Sequence, residues 1–282
     1  LQATTHRINA AYYDLVSRMD GGPEAVVQAA NDAGVPTGQG WDLDARLPLG
    51  TPMVSPINQA SGFSTFANYG IHRDWHVVAK VTDSTGAERY APDTSGTQTI
   101  EHEVTQDVNY ALEHVAQDGT GHVAAGLGYP VAGKTGSKGQ PSRNNKRSRE
   151  TVAAWFVGYT AQITTAVMYV AGDDGNHPLE DYNTNFFGGT FPAQTWLSYM
   201  RVAMKGKDRI SFEAPTKRQS TQSPKPQTSA PITPSAPVSS SAPPATSAPP
   251  ATSAPPETSA PPATSAPAET SAPPAPSPSA SQ

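Results

Sequence analysis

Cysteine does not occur anywhere in the 282 residues. Disulfides, zinc–thiolate centres and thiol nucleophiles are therefore excluded, and an oxidising exterior is compatible with the sequence. Long apolar runs are missing too: no stretch of eighteen apolar residues occurs, so no helical membrane span is expected. Basic residues are outnumbered, 19 Lys and Arg against 24 Asp and Glu for a net charge of -5, which is not the balance of a nucleic-acid binder. Aromatic residues end at Phe212. Beyond it Ser, Ala, Pro and Thr prevail, so a packed core is expected for residues 1–209 and a disordered tail for residues 210–282.

That tail repeats a six-residue unit, Ser-Ala-Pro-Pro-Ala-Thr with variations, whose phase is marked by Thr246, Thr252, Thr258, Thr264 and Thr270. Such repeats favour extended polyproline-II segments and build no core. They read either as an inert linker or as a wall-penetrating or glycosylated stalk. One local exception to the acidic balance is a loop carrying Lys138, Arg143, Lys146, Arg147 and Arg149. It is either a solvated loop or a docking patch for an anionic polymer or lipid surface.

Periodicity outlines the rest. Residues 9–19 read as a helix, with Ala11, Leu15 and Met19 at i, i+4 and i+8 as its apolar face. Gly21-Gly22 breaks it, Pro23 opens a second helix, and Gly34 ends that one. Ser55-Pro56 starts a third in the same way, with Ile57, Ala60, Phe63 and Phe66 in its body and Gly70 closing it. His76–Val81 and Glu88–Tyr90 flank Asp83-Ser84-Thr85-Gly86 as a hairpin. A longer helix is expected at 102–117, with Val104, Val108, Leu112 and Val115 as its stripe and Gly119 as its stop. Three strand-like runs follow at Tyr129–Thr135, Thr151–Tyr159 and Ile163–Ala171, the last two antiparallel across a turn at Ala161. A final helix, Pro192–Met204, carries Trp196, Met200 and Ala203 on one side. The fold class is α+β: an antiparallel sheet flanked by helices, with a helical subdomain.

The chemistry concentrates in Lys134-Thr135-Gly136-Ser137, which lies on the first of the three strands. Lys-Thr-Gly puts a cation, a hydroxyl and a glycine for close approach on one rigid edge, an arrangement suited to the carboxylate end of a peptide or a β-lactam. His72 and His76 have the i, i+4 spacing of a metal pair, but the residues between them run into a strand and no metal site is expected. Asp173-Asp174-Gly175-Asn176 and Asp181–Asn185 look like calcium loops. They lack the glycine and the glutamate such loops need, since Phe186 and Pro192 stand there, and they read as hydrated acidic loops.

Further segments fall in a matching order. These are Val54–Ile57 through Thr65–Gly70, Ala153–Thr160 after the Lys-Thr-Gly strand, and Gly188-Gly189-Thr190-Phe191-Pro192 with Trp196 and Met200. Residues 1–209 thus resemble the C-terminal part of the transpeptidase domain of class A penicillin-binding proteins, actinobacterial type. The resemblance implies a penicillin-binding/β-lactamase-like fold and acyl transfer. In that reaction a serine attacks the bond between two D-alanines of a stem peptide, and an amine of a neighbouring stem peptide resolves the acyl-enzyme. β-Lactams trap the same serine. The implied place is the extracellular face of the cell membrane or the cell wall. The implied partners are peptidoglycan stem peptides, β-lactams and other cell-wall proteins, with no nucleic acid and no cofactor.

The resemblance also assigns residues. Lys134 and Asn9 are the expected catalytic positions: Lys134 orients the donor carboxylate and tunes the proton relay, while Asn9 holds the substrate amide. Thr135 and Ser137 hydroxyls are expected to bind that carboxylate, Gly136 to admit the substrate backbone, and the Ser137 N–H to serve as an oxyanion donor. Two departures stand out. The family's Ser-x-x-Lys nucleophile motif is not found ahead of Asn9, so it is expected upstream of Leu1, together with any export signal or membrane anchor. The family's Ser-x-Asn motif aligns with Arg7-Ile8-Asn9, and arginine has no acceptor with which to relay a proton. This chain alone is therefore expected to be inactive. A catalytically silent wall-peptide-binding or scaffolding module, and a serine D,D-carboxypeptidase or β-lactamase relative, stand as alternatives.

Overall fold

The computed structural model describes residues 1–142 and 149–216. Arg143, Lys146 and Arg147 of the basic loop, and the repeats beyond residue 216, lie outside the described residues.

Three helices lead the chain: α1 (Gln2–His6), α2 (Asn9–Arg18) and α3 (Gly22–Asp32). A Leu47–Leu49 turn and α4 (Pro56–Ala67) follow. Ser55 caps α4, its hydroxyl accepting from the Asn58 N–H at 3.3 Å, with Pro56 in the first turn. Four short strands make two small antiparallel pairs, β1 (Ile71–His72) with β4 (Thr97–Gln98) and β2 (Val81–Thr82) with β3 (Glu88–Tyr90). Helix α5 (His102–Gln117) precedes the main sheet of β5 (Ala132–Pro141), β6 (Arg149–Tyr159) and β7 (Thr164–Val170), in the order β5-β6-β7 and antiparallel throughout. Helix α6 (Phe191–Ala203) closes the fold.

The sheet is covered by two apolar clusters. Phe156, Trp196, Met200 and Met204 are almost wholly buried with Ala124 and Ala193 between β6 and α6. Burial of each Phe or Met side chain here contributes about 1.5–3 kcal/mol. Leu112, Val115, Tyr159 and Phe212 form the second cluster with Phe63 and Phe66. Its polar element is paired: the Tyr159 hydroxyl donates to Asn109 Oδ1 at 2.6 Å, and Asn109 Nδ2 donates to the Phe66 carbonyl at 3.0 Å. Burial pushes the Tyr159 phenol well above its ordinary value.

Several expectations need correction. On α2, Leu15 (57% exposed) and Met19 face solvent, whereas Val16 is buried at 3% and Tyr12 bonds to Thr4. Two apolar stripes overlap in this helix, and contact with α3 and the Leu47–Leu49 turn selects the second. On α5, Val104 is exposed, and Thr105 and Asn109 take inward positions with Leu112 and Val115. The strand read at His76–Val81 shrinks to Val81–Thr82, because nothing covers Val77. The Lys-Thr-Gly strand begins at Ala132 and continues to Pro141. Residues 210–216, assigned by composition to the tail, pack on the domain. Phe212 stacks edge-on to Tyr159 at 5.6 Å, Glu213 takes bonds from His102 and Gln106, and Thr216 bonds Asp107.

Candidate functional site

Strand β5 carries the Lys-Thr-Gly segment against β6, with Lys134 opposite Val157, Thr135 opposite Phe156 and Gly136 opposite Trp155. Alternation sends Thr135 inward. It is 3% exposed, and its hydroxyl shares a 2.7 Å hydrogen bond with Thr120. That hydrogen bond ties the strand to the turn after α5. Lys134 is partly buried, and its ammonium donates to the Thr135 carbonyl at 3.0 Å. No carboxylate of the described residues lies within ion-pair distance of it.

The loop ahead of α6 crosses this strand. The Gly188 N–H donates to the Ser137 hydroxyl at 3.1 Å. A Cβ on Gly188 would lie 2.3 Å from the Trp155 carbonyl oxygen and 2.6 Å from that of Gly136, so only glycine allows the loop to lie this close. Ser137 is partly exposed and Gly136 has no side chain to bar a ligand backbone.

The N-terminal helices reach the same region through α5. The Thr120 N–H donates to the Thr5 carbonyl at 3.3 Å, and that carbonyl would sit 2.5 Å from any Cβ on Gly119. The close fit seats the α1–α2 junction near β5. At that junction Arg7 adopts a left-handed conformation, φ 55° and ψ 50°, and closes α1. Such a conformation costs a non-glycine residue about 1–3 kcal/mol and is concentrated at functional sites. Asn9 follows as the first residue of α2 and is exposed.

The electrostatics couple the two segments. Burial depresses the Lys134 ammonium from 10.5 to about 8, and the Arg7 guanidinium adds a second, repulsive cause. Arg7 is itself held below its ordinary value by burial. Neither cation has a carboxylate partner among the described residues, so this corner of the structure carries unneutralised positive charge. The structure thus brings Arg7 near Lys134, with Gly136 and Ser137 next along the same strand, and leaves Asn9 exposed at the start of α2. Sequence reasoning missed Thr120 and Gly188; the Gly188-Gly189 pair signalled close approach, whereas nothing marked Thr120. Neither His72 nor His76 belongs to a metal-binding cluster, and among the described residues no group of three or more ligating side chains could hold a metal ion.

Comparison with known proteins places the chain in a family. Residues 12–187 match the model of the penicillin binding protein transpeptidase domain. The chain is 29% identical over 255 residues to penicillin-binding protein 1A of Mycolicibacterium smegmatis, covering 83% of this chain and 32% of that protein. It is 31% identical over 233 residues to penicillin-binding protein 1A of Mycobacterium tuberculosis, covering 76% of this chain and 27% of that one. The solved structure of PonA1 from Mycobacterium tuberculosis in complex with penicillin V superposes with a TM-score of 0.66 at 28% identity, over 77% of this chain and 59% of that one. The chain spans about a third of the length of the curated relatives it matches.

Proposed function

Because the chain belongs to the penicillin-binding protein transpeptidase family, we propose that it forms the carboxylate-recognising part of a peptidoglycan D,D-transpeptidase site acting outside the cell membrane. The observation that carries this reading is the pairing of two desolvated, unneutralised cations, Lys134 and Arg7, beside a strand whose Gly136 leaves room for a ligand backbone. The terminal carboxylate of a D-alanyl-D-alanine stem peptide, or the carboxylate of a β-lactam, neutralises them. Asn9 holds the substrate amide, the Ser137 N–H donates to the developing oxyanion, and Lys134 orients the acid terminus. The serine nucleophile comes from a Ser-x-x-Lys segment outside these 282 residues, which contain no such spacing.

Arg7 supports a second reading. Where the family carries serine, this chain has a group that binds an anion but relays no proton. A site so equipped retains stem peptides without cleaving them, as a binding or scaffolding module for other wall enzymes. Fluorescent penicillin distinguishes the readings in a protein that includes the upstream serine. A covalent adduct supports the transpeptidase. Saturable binding without an adduct, converted to acylation by Arg7→Ser, supports the silent module. Absence of both overturns the assignment.

A further inference from the structure

Thr120 lies in the turn between α5 and β5, flanked by Gly119 and Gly121. The turn is seated with no room for a side chain on either flank. A Cβ on Gly119 would lie 2.5 Å from the Thr5 carbonyl oxygen, and one on Gly121 would lie 2.9 Å from Phe156 Cε2. Glycine at both positions lets the backbone come this close. The residue between them carries the polar groups that bond its neighbours.

Those groups meet three segments of the site: β5, α1 and the loop before α6. The Thr120 hydroxyl shares its 2.7 Å hydrogen bond with Thr135, the middle residue of Lys134-Thr135-Gly136. Its N–H donates to the Thr5 carbonyl at 3.3 Å, two residues before Arg7. Its carbonyl oxygen lies where a Cβ on Gly189 would collide with it, and the adjacent Gly188 N–H bonds the Ser137 hydroxyl.

Neither main tie is loose. Thr135 is 3% exposed, and Thr120 is the one hydrogen-bond partner of its hydroxyl among the described residues. An unpaired hydroxyl in that position would be costly, so the two side chains hold their geometry. On the other flank, the Ile8 N–H donates to the Ala3 carbonyl at 3.0 Å, which fixes the left-handed turn at Arg7 to the body of α1. A displacement of α1 therefore carries Arg7 with it. Lys134 precedes Thr135 on β5, so one residue bonds the neighbours of both cations.

We propose that Thr120 is a positioning residue: its hydroxyl holds β5 against the turn that seats α1, and so sets the separation of Arg7 and Lys134. On the carboxylate-recognising reading given above, from which its functional meaning follows, that separation decides how well the two cations converge on one anion. Cut free of the tie, like charges move apart.

Nuclear magnetic resonance of the 282-residue chain, following the Lys134 side-chain signals through their titration, reads the influence of Arg7 without any ligand. Arg7→Ser is expected to raise the midpoint, because Arg7 is the charged neighbour that opposes the ammonium. In a Thr120→Val background that rise is expected to fall to about half or less. Thr120→Val/Thr135→Val leaves no buried hydroxyl unpaired and is expected to do the same, so poor folding of the single variant does not decide the result. Thr120→Ser keeps the hydroxyl and is expected to keep the rise. Reversible binding of acetyl-D-alanyl-D-alanine is expected to weaken by about threefold or more in Thr120→Val and to hold in Thr120→Ser. No rise in the parent chain, a full rise in Thr120→Val/Thr135→Val, or loss of the rise in Thr120→Ser overturns the role of Thr120, whatever the peptide does. A rise that depends on the Thr120 hydroxyl, in a chain that binds no D-alanyl-D-alanine, upholds that role and overturns the functional reading alone.

Discussion

Lys134 is the residue at which charge, burial and recognition meet. Its folded value of about 8 lies below its ordinary 10.5, so between those limits the unfolded chain binds more protons than the folded one. The sign follows: the stability of the empty domain rises as pH climbs through that window. Affinity for a carboxylate does the reverse, because it depends on the ammonium and fades above about pH 8. Titration of penicillin or acyl-D-alanyl-D-alanine binding against pH, with a melting curve at each point, is expected to show the two trends crossing. In Arg7→Ser the repulsive neighbour is gone while burial remains, so the break in affinity shifts to higher pH. The Lys-Thr-Gly triplet that announces this residue is legible in the sequence, because its chemistry is carried by consecutive positions. Its depressed basicity is not legible. It arises first from burial in the folded domain and then from a guanidinium more than a hundred residues away, delivered by the packing of Thr5 on Gly119 and Thr120.

Among the elements, the contact between β5 and the loop before α6 tolerates the least change. Gly188 lies against the backbone of both Gly136 and Trp155, and backbone cannot step aside as a flexible side chain can. Gly188→Ala is therefore expected to destabilise the domain by about 1–3 kcal/mol. It should also lift the loop from Ser137, reducing penicillin binding; denaturant unfolding and ligand titration of the same protein check both effects. The elements differ in how far the sequence specifies them. Helix α4 was readable from end to end because Ser55, Pro56 and Gly70 mark its limits chemically. Strands β6 and β7 were readable because a dense apolar run folds back at Ala161. Helix α2 was found but turned the wrong way. Ala11, Leu15 and Met19 and the pair Tyr12 and Val16 are both apolar stripes, and only a tertiary partner decides which becomes the inner face. Composition also hid the role of residues 210–216, since one aromatic in a polar stretch gives no periodicity to detect.

At the scale of the whole molecule, those residues act as a strap. Phe212 enters the cluster of Tyr159, Leu112 and Val115, and the Glu213 N–H donates to the Tyr69 hydroxyl at 2.8 Å. Phe212→Ala is expected to cost about 3–5 kcal/mol. A chain ending at residue 209 should melt well below one ending at 216 when the two are compared by calorimetry. Equal melting temperatures would mean that the strap rests on the surface without contributing to the core.

The strap also sets an order of events. Tyr69 and Glu213 are separated by 144 positions along the chain. Pairings between such distant segments must wait until both exist and the intervening loop has closed. On a ribosome, the hydrophobic gap over Tyr159 stays open until Phe212 has been synthesised and has emerged. Until then the interior of a newborn chain is unfinished, the interval in which a holding chaperone has its greatest effect.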